Sequence, residues 1–313
     1  MTLTAAARRW VEEVLGEPVV GSSTLTGGVA SRMLLLRTAD GPGAVLKQLV
    51  SEPYRSHAEG LLTRERDVQR MLAGASGIPV PAPLALDASG AATGDPSLLM
   101  TRLDGAIDLV DGSPRRVAAL AALLLRIHRF RPDRAPRHYQ SWATEAKMRV
   151  PPWSTDDPLY VEAFDRLRAG PPPYEPTFLH RDFHPGNVLW SAGHDDEVSG
   201  VVDWCETSTG PADLDVAHCT SNLANLHGVD VALAFRKAYV DQGGVLAQDA
   251  DAASYWQLLD LVGFLPDASG RESGAPPAAG KQVWDAHRRP DLTVATVRRR
   301  REDLLRAVLR PAT

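Results

Sequence analysis

The stretch Phe178-Leu-His-Arg-Asp-Phe-His-Pro-Gly-Asn-Val-Leu-Trp190, with Val201-Val-Asp-Trp204 just downstream, constrains this chain more than any other part of it. Thr177-Phe-Leu179 reads as a short buried strand, Pro185-Gly186 forces a tight loop, and Val188-Leu-Trp190 returns as a strand. Turn residues from Ala192 to Asp196 lead into a neighbouring strand over Val198 to Val202, so one short hairpin carries the whole motif. Asp182 and Asn187 stand at the two ends of one loop, and the last strand delivers Asp203 to the same edge.

Two hard oxygen ligands beside a base-like carboxylate are what Mg²⁺-assisted phosphoryl transfer to a hydroxyl asks of a protein. Asn187 and Asp203 suit the ion. Asp182 suits the hydroxyl, whose proton a loose transition state releases late, and His180 suits hydrogen-bonded support of the loop. Asp and Asn cap turns frequently, and for any one of these residues that would be explanation enough. It does not account for His-x-Asp-x-x-x-x-Asn followed by a strand-borne Asp. Zinc binding by His180 and His184, spaced i,i+4, needs a helix and normally a Glu beside the first His. Arg181 and Pro185-Gly186 oppose both requirements.

The first hundred residues read as α+β. A helix over 3–15 carries Leu3, Ala7, Val11 and Val14 on one face, and strand-like runs follow at 19–25, 31–38 and 44–50. A helix near 57–73 places Glu65 within the apolar stripe of Leu61, Val68 and Leu72. A carboxylate on a buried face requires a cation, and Lys47 in Ala44-Val-Leu-Lys-Gln-Leu49 is the natural one. A Lys held by a Glu is how kinase-like enzymes grip the α- and β-phosphates. Gly27 and Gly28 lie between two strands, where their amides can approach phosphate, although Gly-Gly is also a common hairpin turn. No Gly-Lys-Ser/Thr opens a helix, so this is not a P-loop.

Ile78-Pro-Val-Pro-Ala-Pro83 breaks the helix, Leu98-Leu-Met-Thr-Arg-Leu103 reads as a strand, and Asp104-Gly105 marks a change of architecture near 101–106. Beyond it the chain is mostly helical. Ser113-Pro114 opens a helix lined by Leu120, Leu123, Leu124 and Ile127. Pro151-Pro152 and Pro171-Pro-Pro173 punctuate a loop-rich insertion, helices fill most of 212–265, and the Gly/Ala/Pro/Ser-rich stretch at 267–280 reads as a mobile loop.

A net charge of −5 gives no electrostatic footprint for nucleic acid. The basic run Arg298 to Arg301 falls in a helical pattern with Val294, Val297, Leu304, Leu305 and Val308, as a solvated face would. No run approaches the ~20 apolar residues needed to span a bilayer, and no signal segment opens the chain. Cys205 and Cys219 cannot make a disulfide framework. The expectation is a cytoplasmic protein with reduced thiols and no membrane partner.

At Gly27-Gly28, Lys47, Glu65, Leu99-Met100, His180 to Asn187, Val202-Asp-Trp204 and Asp215-Val-Ala217 the chain resembles the aminoglycoside phosphotransferase family, small-molecule kinases with a protein-kinase-like fold. The matching pieces span roughly residues 20–220. The resemblance implies an α+β, two-lobe fold. Residues 1–103 would form an antiparallel sheet with one key helix, and 104–313 a larger, mainly helical lobe. It implies Asp182 as catalytic base, Asn187 and Asp203 as Mg²⁺ ligands, and Lys47 as the phosphate-binding lysine steadied by Glu65. Residues 100–103, with Met100, Arg102 and Leu103, would meet the adenine of ATP (or the base of GTP), and Asp215 would brace the catalytic loop. Arg181 stands where Gly is common in the family. Trp204-Cys205 follows Asp203 in place of Phe-Gly, and no Ala-Pro-Glu follows, which speaks against a protein substrate.

The expected reaction is transfer of the nucleotide γ-phosphate to a hydroxyl of a small molecule, aminoglycosides or related antibiotics first. Choline, homoserine and fructosamine kinases of the same family are the alternative, and a non-catalytic nucleotide-binding module is a third reading. Asp156, Asp157, Glu206, Asp213 and Asp260 are the acidic residues that would pair with a polycationic acceptor. Trp142, Trp153 and Trp256 could stack on a sugar, a macrolide or a nucleoside, although each suits plain packing equally well.

Overall fold

The structure, a computed structural model, describes residues 3–25, 31–39, 41, 43–193, 196–267, 270 and 277–310. After helix α1 (Ala5–Leu15) come strands β1 (Val19–Thr24), β2 (Arg32–Thr38) and β3 (Ala44–Gln48), then helix α2 (Ala58–Leu72), β4 (Pro83–Asp87) and β5 (Ser97–Thr101). These five strands form one antiparallel sheet in the order β1-β2-β3-β5-β4. β4 is absent from the sequence reading, because Pro83 and the prolines before it mask a strand at the sheet edge, where a missing N–H costs no ladder bond.

Side chains alternate across a strand, and this sheet uses both faces. Leu34, Leu36, Leu46 and Leu99 point to the α1 side and pack with Ala7 and Val11. Val45, Leu98 and Met100 point to the α2 side and pack with Ala58 and Leu62. Lys47, two residues after Val45, is therefore aimed at α2. At about 1.5–3 kcal/mol for each fully buried aliphatic side chain, the two layers hold this register firmly.

The chain continues through β6 (Ala106–Ile107), α3 (Pro114–Arg129), α4 (Asp157–Arg168), β7 (Thr177–Leu179), β8 (Val188–Trp190), β9 (Val198–Val201) and β10 (Ser208–Gly210). Helices α5 (Ala212–His227), α6 (Val229–Asp241), α7 (Ala250–Gly263), α8 (Pro277–Ala286) and α9 (Val294–Leu309) complete it. Ser113 caps α3 through its hydroxyl, with Pro114 in the first turn. α5 is buried on nearly every side between its helical neighbours, and the largest core gathers around it.

The structure corrects the sequence reading in three places. The insertion between the proline clusters contains α4, and residues 277–280 of the supposed mobile loop begin α8. The motif is not one hairpin: β8 pairs with β9, but β7 pairs with β10. Local sequence reveals strands but not their partners. No described helix is long and apolar enough to cross a membrane.

Candidate active site

The loop after β7 is held from beneath by α5. The fully buried carboxylate of Asp215 accepts the backbone N–H of His180 at 2.8 Å on one oxygen and that of Arg181 at 2.7 Å on the other. Behind it, His128 Nε2 lies 3.2 Å from Asp215, and His128 Nδ1 lies 2.6 Å from the Tyr239 hydroxyl. Burial alone would raise the Asp215 pKa, but the bonds from His128 and the loop amides hold it below the usual value. Arg181 takes φ 77°, the left-handed region that glycine enters without steric cost. Its guanidinium lies 4.0 Å from the Trp142 ring centroid and donates to the Gln140 carbonyl at 3.0 Å, contacts that glycine could not make.

On this platform the His180 ring accepts the Asp182 N–H at Nδ1, 3.2 Å, and Nε2 lies 3.1 Å from the Val202 carbonyl. That pattern defines a neutral tautomer protonated at Nε2, in keeping with burial, which lowers the His180 pKa. The Asn187 amide donates to the Asp182 carbonyl at 2.9 Å and to Asp182 Oδ2 at 3.0 Å. Asp182 and Asn187 are thus tied together across the loop, as their spacing suggests.

Lys47 Nζ is shared between Glu65 at 2.7 Å and Asp203 at 2.8 Å. Burial works to lower the Lys47 pKa, but the two carboxylates outweigh it and hold the ammonium well above its ordinary value. Burial also raises the Glu65 pKa, against the opposing charge of Lys47. Asp203 sits at φ 65° two residues after the end of β9, a second left-handed non-glycine position at the site.

The sequence reading misses His218. It lies three residues after Asp215 on α5, so both face the loop over 180–187 from one side of the helix. Its Nε2 is 3.1 Å from Asp182 Oδ1, and its Nδ1 is 2.9 Å from Asp260 Oδ1 on α7. Burial alone would lower its pKa, but Asp260 and Asp182 push it up to about 10. Asp182 itself is held well below the usual carboxylate range. Burial opposes this shift, and the hydrogen bond from His218 leads the groups that impose it. His184 Nε2 lies 3.8 Å from the same carboxylate oxygen. Burial drops its pKa to about 4, and its Nδ1 accepts the Gly186 N–H at 3.1 Å, so Nε2 carries the proton. Asp182, His184 and His218 offer ligand atoms within 4.8 Å of one another. The helical pattern Asp215-Val-Ala-His218 is a signal present in the sequence, but it names no partner.

A cavity of about 660 Å³ opens over these groups. Lys47, Asp182, Asn187, Asp203, His218, Asn222 and Asp260 all line it. Of the acidic residues proposed for the acceptor, Glu206 and Asp260 line it, the first bonded to Arg137 at 2.6 Å. Asp156 instead pairs with Arg306 at 3.6 Å, Asp157 lines a separate shallow depression on α4, and Asp213 is buried against the Ala247 N–H. Trp142 is at the cavity, whereas Trp153 packs edge-on to Tyr160 and Trp256 is core. Met100 is buried against α2, Arg102 pairs loosely with Asp104 and Leu103 abuts Gly200; none of the three lines this cavity. Gly27 and Gly28 lie outside the described residues.

A two-faced antiparallel sheet bearing the Lys47–Glu65 pair, set over a helical body bearing Asp182 and Asn187, defines the class of kinase-like phosphotransferases. A model described as the phosphotransferase enzyme family APH matches residues 23–256, and the chain belongs to that family. Among solved structures, it superposes on a thermostable mutant of the aminoglycoside phosphotransferase APH(4)-Ia in ternary complex with ADP and hygromycin B. The TM-score is 0.60 at 16% identity, covering 99% of this chain and 100% of that one. A putative fructosamine-3-kinase from Thermobifida fusca gives 0.58 at 21%, covering 99% and 100%. The macrolide 2'-phosphotransferase MphH from Brachybacterium faecium gives 0.55 at 16%, covering 97% of each chain. These likenesses establish the α+β, protein-kinase-like fold. No curated protein sequence matches the chain significantly.

Proposed function

We propose that this protein transfers the γ-phosphate of ATP or GTP to a hydroxyl of a small molecule. One observation carries the reading: Asp182, Asn187, Asp203 and Lys47 line one cavity, Asn187 bonded to Asp182 and Lys47 to Asp203, although residues 47 and 203 are far apart in the chain. Asp182 orients the acceptor hydroxyl and takes its proton as the oxygen–phosphorus bond forms and the bridge to the leaving nucleoside diphosphate breaks. Lys47, steadied by Glu65, engages the phosphates, and Asp215 and His180 keep the loop in place.

The donor set suits Mg²⁺. Asn187 spends its N–H groups on Asp182, which leaves its carbonyl oxygen for an ion, and Asp203 offers a carboxylate beside it. Bound there, the ion would neutralise charge developing on the phosphates. The chain divides on this reading into a nucleotide-binding lobe, 1–103, and a catalytic and acceptor-binding lobe, 104–313. A cytoplasmic enzyme fits it, since nucleotide is supplied there and both cysteines are unpaired.

Resemblance alone puts aminoglycosides first as acceptors, with antibiotic resistance as the role. The cavity favours the second reading, a metabolic alcohol or sugar, or another acceptor without several positive charges. Its carboxylates, among the described residues, are Asp182, Asp203, Glu206 and Asp260, and each touches a side-chain donor. Trp142, Phe264 and Trp284 line it as well. Carboxylates already engaged by side-chain donors leave little for a polycation to pair with, and the rings offer stacking surface.

The test is a coupled nucleotide-turnover assay with Mg²⁺ against aminoglycosides, macrolides, choline, homoserine, ketosamines and neutral sugars. A neutral or singly charged acceptor raising turnover above the basal rate is the expected result. Turnover with an aminoglycoside would keep the reaction and discard this acceptor class. A protein that binds no nucleotide would discard both.

A further inference from the structure

The catalytic loop is braced by Asp215, but the carboxylate of Asp182 is fixed by something else. We infer that His218, anchored by Asp260, is a positioning residue whose imidazolium bridges the two carboxylates and locks Asp182 in the orientation that receives the acceptor hydroxyl. The inference rests on the phosphotransferase reading of this site.

The geometry fixes the protonation of the ring. Asp260 Oδ1 lies 2.9 Å from Nδ1 and Asp182 Oδ1 lies 3.1 Å from Nε2. Ionised carboxylates only accept hydrogen bonds, so each ring nitrogen must carry a proton to satisfy its partner. A neutral ring would place a nitrogen lone pair against one carboxylate in a buried setting, where the unmade bond costs most. The Asn222 amide nitrogen lies 3.2 Å from the same Nε2 and 2.9 Å from the His218 carbonyl. With Nε2 protonated, Asn222 is committed to the carbonyl alone.

The surroundings hold the ring still. His218 and Asp260 are both almost fully buried. Trp142 packs edge-on to the imidazole at 5.6 Å between ring centroids, and Phe264 covers it at 5.3 Å. The charged or titratable neighbours are Asp182 and neutral His184 on the catalytic loop and Asp260 on α7, with the Arg181 guanidinium beyond Trp142. Two carboxylates flank the cation, and the ring separates them along a fixed line. Asp182 Oδ1 is pinned by His218 and Oδ2 by Asn187 Nδ2. With both oxygens held, the carboxylate plane is set before any substrate arrives, and such preorganisation lowers the barrier without adding a new contact to the reacting atoms.

Two arms test this without knowledge of the acceptor. The first is a two-bond proton–nitrogen NMR correlation on histidine-labelled wild-type protein at neutral pH. The expected result is a His218 ring with both nitrogens protonated; a single neutral tautomer would overturn the bridge. The second compares His218→Leu and His218→Gln in basal Mg²⁺-dependent ATP or GTP hydrolysis, with water as acceptor. Loss of an outer-shell partner of this kind costs roughly 10- to 100-fold. His218→Leu should therefore lose about that factor in kcat with the nucleotide KM unchanged, and His218→Gln, which keeps a donor toward Asp182, should recover part of it. Hydrolysis by His218→Leu equal to wild type would sink the inference. A fluorescent ADP analogue titrated with Mg²⁺ runs alongside. Failure of the wild type to bind it counts against the phosphotransferase reading itself, while the NMR arm still decides the bridge.

Discussion

Two cations in this molecule do the same job with different chemistry. In the first, Lys47 joins Glu65, an almost fully buried carboxylate, to Asp203 at the cavity. In the second, His218 joins Asp260, also almost fully buried, to Asp182 at the cavity. Each bridge ties a structural carboxylate to a working one. An ammonium on a flexible stem is charged throughout the physiological range and can swing toward a phosphate without leaving its anchor. An imidazolium is flat, its two N–H bonds diverge from a rigid ring, and it holds charge only while its carboxylates favour it. The lysine bridge suits a group that must follow a ligand, and the histidine bridge suits one that must not move.

The sharpest way to break the comparison is Asp182→Ala, which removes the working end of the histidine bridge. Turnover should fall by about 10²- to 10⁴-fold with nucleotide affinity retained, and retained turnover would remove Asp182 from the reaction. Next comes Glu65→Ala, which leaves Lys47 buried with Asp203 as its one remaining carboxylate. Removing one partner of a buried pair costs about 3–5 kcal/mol, read in urea denaturation, with weakened nucleotide binding in whatever folds.

A smaller effect separates the bridges by pH. The folded-state pKa of His218 is raised from 6.5 to about 10. Its contribution to stability is therefore complete below 6.5 and is lost as the pH rises toward 10. Lys47, raised well above 10.5, keeps its bridge across that window. Wild-type unfolding free energy should decline between these pH values, and His218→Leu should flatten the decline; an identical slope in both would assign the loss elsewhere. The smallest effect is expected for Arg181→Gly. Relief of the left-handed backbone, about 1–2 kcal/mol, opposes loss of the stack on Trp142, about 0.5–2 kcal/mol. The net change in stability should stay within about 1.5 kcal/mol of zero.

What is legible in the sequence follows the same division. The lysine bridge can be read from local pattern alone, since Glu65 interrupts an apolar helical stripe and a buried carboxylate demands a cation. Asp182, Asn187 and Asp203 can be read from their spacing around short strands. The histidine bridge cannot, because α5 is apolar or buried on nearly every face and a histidine within it has no local pattern to violate. In the sequence Asp260 is only one more acidic residue, and Asp156, Asp157 and Asp213, grouped with it, lie away from the cavity. Surface charge carries no mark of the direction in which it points.

The sequence by itself determined the first two helices and the three strands between them, the loop joining Asp182 to Asn187, and the requirement for a cation opposite Glu65. Each is set by periodicity, by turn chemistry, or by the cost of burying charge, all of which act over a few residues. Only the tertiary structure decided that β7 pairs with β10, that α5 presents Asp215 to the loop backbone and His218 to its side chain, and that Asp260 stands behind His218. Those choices depend on how helices far apart in the chain pack around one core, and a hydrogen bond between residues 218 and 260 comes into being only when that packing is complete.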